Sequence, residues 1–158
     1  MPIFKPSQIA HSIQEIDGDA LQGAGIKGII LDWTNTVALK NAESISDSMK
    51  AWLKNVQSRY GIKVIIVSNS KPPMHNHGQI NEIPALFEAG KPKKKAFLTA
   101  MNMLGTRSNE TAVIGNGIFT DLWGGNRLGM HTIFLSSLWM KPRFIGVVKR
   151  LFVKVLRV

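Results

Sequence analysis

No cysteine occurs among the 158 residues. That excludes a disulfide framework, a thiolate metal site and a nucleophilic cysteine, and it permits a reducing compartment. Acids are scarce as well: ten Asp and Glu stand against twenty Lys and Arg, for a formal charge of +10. Such an imbalance points to an anionic partner, whether a phosphate, a nucleic acid or an acidic lipid surface. The motifs of the common DNA and RNA modules do not occur, so nucleic acid is the least expected of the three. No run of 18 apolar residues is available to span a bilayer, and the opening "MPIFKPSQIAHSIQEI" lacks the basic head and apolar middle of a secretory signal. The expectation is a cytoplasmic protein, at most peripherally attached to a membrane.

What is present is a chain of 44% hydrophobic residues, enough for one domain spanning 1–158 that buries roughly 70% of its unfolded surface. "IKGIILD", "IKVIIVSNS", "TAVIGNG" and "HTIFLS" are apolar runs without a polar helical face, the mark of strands covered on both sides in a parallel sheet. Between them, Met49, Trp52, Leu53, Val56 and Tyr60 recur at helical spacing after Ser46, a capping residue, and stop at Gly61. Phe97, Ala100, Met101 and Leu104 form a second stripe, stopped by Gly105. Residues 7–24 read as a short helix and a turn, 71–92 as an irregular connection with at most one short strand or helix, and "FTDLWGGNRLGM" as a Gly-broken turn or short helix. Alternating strands and helices predict a three-layer, Rossmann-like α/β fold with a mainly parallel sheet. Ligands of such sheets bind beyond the carboxyl ends of the strands. Asp32, Ser68 and Asn116 each follow an apolar run directly, so the pattern predicts that they converge on one edge.

In order, the chain offers a carboxylate in "LDWTNTV", a hydroxyl in "VSNS", a lysine in "GKP", and an amide and a carboxylate in "GNGIFTD". This series resembles the haloacid-dehalogenase (HAD) superfamily. The nearer likeness is to its capless subclass III phosphatases, the YqeG-type proteins related to phosphatidylglycerophosphate phosphatases, to which "TDLWGGNRLGMHTIFL" and "SIQEI…GIKGIILD" are also similar. The likeness runs from about Pro6 to Lys149, nearly the whole chain.

The resemblance implies a phosphomonoester hydrolase in which Asp32 attacks phosphorus and becomes an aspartyl-phosphate. It implies Mg²⁺ held by Asp32, the Thr34 carbonyl, Asn116 and Asp121. Ser68 would hydrogen-bond a phosphoryl oxygen, with Asn69 beside it as a further substrate contact, and Lys91 would balance charge on Asp32 and the phosphoryl group. From the residues alone, Asp121 could instead cap a helix starting at Leu122, and Lys93, Lys94 and Lys95 compete with Lys91 for the site. The pair His75 and His77 lacks a third and fourth ligand nearby and is not read as a metal site.

Two departures matter. The family carries a second Asp where this chain has Thr34, and a hydroxyl neither protonates a leaving alcohol nor activates water near neutral pH. Asn116 stands where the family usually has Asp, which takes one negative charge from the metal site. P-type cation pumps of the same superfamily also carry Thr at the first of these positions and still form the aspartyl-phosphate. Alongside a weakened phosphatase there thus stands a second expectation, a catalytically inactive phosphatase-like scaffold that binds a phosphorylated or anionic partner.

About 30 residues separate the first motif from the second and about 20 the second from the third, too few for a cap domain. The substrate of an open site can be large or surface-bound, and the resemblance points to a lipid phosphate such as phosphatidylglycerophosphate. In "FIGVVKRLFVKVLRV", residues 144–158, Phe144, Val148, Leu151, Phe152 and Val155 share one helical face, and Arg150, Lys154 and Arg157 another. That pattern suits a basic amphipathic helix on an anionic membrane, or equally a last helix packed on the sheet or in a dimer contact.

Overall fold

The computed structural model of the protein describes residues 3–34, 45–73 and 78–136. Seven strands form one sheet: β1 (Gln8–Ala10), β2 (Gly28–Leu31), β3 (Lys63–Val67), β4 (Gln79–Ile80), β5 (Ile83–Leu86), β6 (Thr111–Gly115) and β7 (His131–Leu135). Their spatial order is β1-β7-β6-β2-β3-β5-β4, parallel throughout except for β4, which runs antiparallel to β5. The helices are α1 (Gly18–Gly23), α2 (Asp47–Ser58), α3 (Lys94–Leu104) and the single turn α4 (Gly124–Asn126).

All four residues of β2 are buried, as a strand covered on both faces requires. Its alternation divides the core in two. Ile29 and Leu31 face α2, where Met49, Trp52, Leu53 and Val56 pack, while Ile30, Ile65 and Val113 face Phe97, Ala100, Met101 and Leu104 of α3. Trp52 serves packing: its indole N–H donates to the Ile16 carbonyl at 3.0 Å in the buried layer. Ser46 caps α2, accepting from the Met49 N–H, and Gly105 ends α3 in the left-handed conformation with φ of 68°. The three-layer α/β sandwich with a mainly parallel sheet is thus as the hydrophobic pattern predicts.

Two stretches differ from the sequence reading. Residues 7–24 do not begin as a helix: β1 comes first, then a 3₁₀ turn (Ile13–Glu15) and then α1. The open edge of β7 takes up the backbone of β1, through Ser7 N–H to Thr132 O at 2.8 Å and Ser136 N–H to Ala10 O at 2.9 Å. Asp17 accepts from the Asp19 N–H and starts α1 afresh. Residues 71–92 hold two strands where at most one short element was expected. β4 and β5 are joined by Asn81 and Glu82, both at positive φ, as a two-residue hairpin turn demands.

The connection after β6 is a wide π-helical turn (Ile118–Trp123) that runs on into α4. Gly124 and Gly125 let it lie flat on its neighbours, since a Cβ at Gly124 would stand 2.6 Å from Phe97 Cζ and one at Gly125 2.8 Å from Thr132 Cγ2. The close approach these glycines permit is to the core. Residues 144–158 and the pair His75 and His77 lie outside the described residues.

Candidate active site

The sheet reverses its winding direction between β2 and β6: from β2 the chain moves to β3 and β5, then returns to the other side of β2. Crevices at such switch points, beyond the carboxyl ends of the strands, are where ligands bind. Asp32 is the first residue past β2, its N–H still in the ladder to Ile114 O at 2.9 Å. Asp121 comes from the turn after β6. Lys91 enters from the loop before α3.

The three side chains meet. Lys91 Nζ donates to Asp32 Oδ1 at 2.9 Å and to Asp121 Oδ1 at 2.5 Å. All are buried, with relative exposures of 9% for Asp32, 5% for Lys91 and 3% for Asp121. Asp121 does not cap a helix from Leu122; it lies inside the π-helical turn, and its Oδ2 accepts from the Gly117 N–H at 3.0 Å. Gly115 makes the room, because any Cβ there would overlap the Asp121 carboxylate. Of the competing lysines, 93, 94 and 95 are exposed, and Lys91 alone reaches the cluster.

Among the described residues two carboxylates share one ammonium, and these three groups, fully ionised, carry a net charge of −1 in a buried setting. The pKa values reflect that arrangement. Burial, and next the charge of Asp121, push the Asp32 carboxyl up to about 6, against the opposing pull of Lys91. Burial disfavours the Lys91 ammonium, yet Asp121 and Asp32 together outweigh it and hold its pKa above the ordinary lysine value. Two hard carboxylates so close together suit a divalent cation, which needs only one or two of them and keeps several waters. Among the described residues there is no group of three or more His, Cys, Asp or Glu able to hold a metal by itself.

The remaining predicted residues follow the carboxyl ends of strands β2, β3 and β6 in the same parallel sheet. Ser68 follows β3, is 1% exposed, and shares a hydroxyl contact of 2.8 Å with Ser70. Thr34 and Asn116, just beyond β2 and β6, are half-buried. Asn69 turns both ends of its amide onto the Lys91 backbone: Oδ1 accepts from Lys91 N–H at 2.7 Å, and Nδ2 donates to Lys91 O at 2.8 Å. Sequence reasoning missed that arrangement, and it missed Arg127, whose guanidinium donates to the Pro92 carbonyl and lies 4.4 Å from the Trp123 ring centroid. Side-chain ties to a distant backbone leave no periodic trace in a sequence.

A doubly wound parallel sheet with two carboxylates and a lysine at its switch point defines a phosphatase of the haloacid-dehalogenase type. The solved 2-haloacid dehalogenase of Pseudomonas syringae pv. Tomato DC3000 shares the fold, with a TM-score of 0.51 at 10% identity over 82% of this chain and 99% of that one. The chain belongs to the family described as mitochondrial PGP phosphatase, whose model matches residues 2–138. It is 32% identical over 143 residues to "Probable phosphatase YqeG" of Bacillus subtilis (strain 168), covering 90% of this chain and 83% of that protein. It is also 26% identical over 152 residues to "Phosphatidylglycerophosphate phosphatase 1, chloroplastic" of Chlamydomonas reinhardtii, spanning 90% of this chain but 56% of the algal one.

Proposed function

We propose that the protein hydrolyses a phosphomonoester at the carboxyl edge of its sheet, with Asp32 as nucleophile, and that the substrate is a lipid phosphate of the phosphatidylglycerophosphate kind. The observation that carries this reading is the pair of buried carboxylates, Asp32 and Asp121, meeting on one buried lysine beyond the carboxyl ends of β2 and β6. A substrate class at a membrane follows from the algal relative's name, from the +10 charge and from the absence of room for a cap domain.

In the first step an Asp32 oxygen bonds to phosphorus as the bond to the leaving oxygen breaks, giving an aspartyl-phosphate and an alkoxide. Lys91 stays charged throughout and offsets the negative charge that gathers on Asp32 and the phosphoryl oxygens. The Ser68 hydroxyl donates to one of those oxygens. With Thr34 in place of a second acid, the leaving oxygen takes its proton from water at the open edge; in the second step water bonds to phosphorus as the bond from phosphorus to the Asp32 oxygen breaks, giving phosphate and the free carboxylate, with the proton lost to solvent rather than to a side-chain base, and both steps are slower for it. Asp32, Asp121, the Asn116 amide oxygen and the Thr34 carbonyl would hold Mg²⁺, which would supply positive charge and polarise the phosphoryl group. The basic segment 144–158 would bring the open site to an anionic bilayer at which the protein is peripheral.

Thr34 and Asn116 also favour a second reading, a scaffold that binds a phosphorylated partner without turnover. One comparison separates the two. The natural protein with Mg²⁺ should release phosphate from p-nitrophenyl phosphate and from phosphatidylglycerophosphate in mixed micelles, and Asp32→Asn should lower both rates at least about a thousandfold. Undiminished hydrolysis by Asp32→Asn sinks the nucleophile assignment; no hydrolysis by either protein, with phosphate binding retained, leaves the scaffold.

A further inference from the structure

The Lys91 ammonium sits where two carboxylates need it, but a lysine side chain is long and its position is set by whatever fixes its backbone. Here other side chains do so. Asn69 closes on Lys91 from both directions, accepting from its N–H at 2.7 Å and donating to its carbonyl at 2.8 Å. One residue on, the Arg127 guanidinium holds the Pro92 carbonyl while lying over Trp123, a residue of the turn that carries Asp121. Backbone bonds from Ala89 N–H to Ser68 O at 3.0 Å and from Glu88 N–H to Ser70 O at 2.9 Å complete the attachment of this loop to the end of β3.

We infer that Asn69 is a positioning residue: its amide fixes the Lys91 backbone so that Nζ lies between Asp32 and Asp121, with Arg127 steadying the same segment from the Asp121 side. Chemistry explains the residue type. A bridge from one residue's N–H to its own C=O needs a donor and an acceptor on one short, planar group, which Asn has, Asp lacks for want of a donor, and Ser is too short to span. Position matters because a displacement of about 1 Å at a reacting centre costs on the order of 100-fold in rate. This role differs from the substrate contact expected of Asn69 from the sequence.

The inference rests on the phosphatase reading for its kinetic test alone. With p-nitrophenyl phosphate and full-length protein, Asn69→Ala should lower kcat about 10- to 100-fold and leave KM within about threefold. In a Lys91→Met background the same change should move the residual rate by less than about threefold, because a residue acting through Lys91 has nothing left to position. A raised KM with kcat kept, or an Asn69 effect that persists in full without Lys91, places the amide on the substrate and overturns the inference.

A second readout does not depend on turnover. Acetic anhydride should acetylate Lys91 at least about fivefold faster in Asn69→Ala than in the natural protein, with Lys93 unchanged, as peptide mass mapping would show. Equal protection of Lys91 in both proteins overturns the inference, including in a protein that hydrolyses nothing. Failure of the phosphatase reading is recognised separately, by absence of hydrolysis in the natural protein.

Discussion

Two ion clusters lie at opposite edges of the sheet and mirror each other. At the carboxyl edge one ammonium, Lys91, serves two carboxylates; at the amino edge one carboxylate, Glu110, serves two cations, Lys27 at 2.9 Å and Arg107 at 3.0 Å. The first is buried, whereas the side chains of Lys27 and Arg107 are 68% and 79% exposed. Water decides the outcome. Hydrogen bonds from Arg107 and Lys27 hold the Glu110 carboxyl down at about 2, while burial and Asp121 push Asp32 up to about 6. A surplus charge at the amino edge is solvated, whereas at the carboxyl edge burial and Asp121 make the charged form of Asp32 costly, a cost that a bound cation would relieve. Costs of that kind persist where function needs them.

The largest effect should come from removing the shared ammonium. Lys91→Met leaves Asp32 and Asp121 buried without it, and breaking a buried ion pair from one side costs about 3–5 kcal/mol. Urea denaturation of the metal-free protein near pH 7 should show that loss, and adding Asp121→Asn should restore much of it. If Lys27→Met destabilises as much as Lys91→Met, the contrast between the edges is wrong.

Next in size is a pH effect with a defined sign. The folded-state pKa of Asp32 is raised from 3.8 to about 6, so folding takes up a proton in that window. The contribution of Asp32 is fully present below pH 3.8 and is lost as pH rises through about 6, a loss on the order of 2–3 kcal/mol. Asp32→Asn mimics the protonated form. In chelator it should match the natural protein near pH 4 and be the more stable of the two at pH 7.5, by thermal melts at both. A natural protein that is the more stable at pH 7.5 would mean that Lys91 satisfies both acids.

The amino edge, the core and the site were not equally readable from the chain. Buried runs such as "GIIL" and "VIIV" announce central strands because a strand covered on both faces takes consecutive apolar residues without a polar one between them. Asp32, Lys91 and Asp121 were legible as a resemblance, since each sits in a short motif near a strand end. β1 was not: three residues pair with β7 from more than a hundred positions away, and Ile9, Ile13 and Ile16 imitate helical spacing although Ile9 points outward at 52% exposure. The β4–β5 hairpin was hidden by its length and by a turn of Asn81 and Glu82 without glycine. Periodicity reports which face is buried; it is silent on an edge strand's partner and on an amide that grips a remote backbone.

Thr34 and Asn116, the two positions at which the motif reading departs from the family pattern, sharpen the contrast from the functional side. Thr34→Asp would add a carboxylate able to protonate the leaving oxygen and activate water, and should raise turnover about 10- to 100-fold at saturating Mg²⁺. Asn116→Asp should chiefly lower the Mg²⁺ needed, because it adds charge to the donor set. Each also adds an anion to the edge that holds the buried Asp32 and Asp121, so both variants should lose stability in chelator and regain it with Mg²⁺. If the double variant, folded and metal-saturated, is no faster than the natural protein, the inactive-scaffold reading gains over the enzyme.

The smallest effect belongs to the amino edge. Glu110→Gln keeps the shape of the side chain and an acceptor for the Arg107 N–H, which Glu110 now holds at 3.1 Å, and removes the charge. Because the Glu110 pKa is lowered from 4.5 to about 2, its contribution is present above pH 4.5 and is lost as pH falls through about 2. The cations that lower it stand in water, where salt screens them over a few ångströms. Melts at pH 7 in low salt should therefore show a slight deficit for Glu110→Gln, shrinking in about 1 M salt, while the stability gain of Asp32→Asn in chelator barely responds to the same salt. A Glu110→Gln deficit that salt leaves untouched would show that the amino edge is as shielded from water as the carboxyl edge, and solvent access would no longer explain why the two clusters titrate in opposite directions.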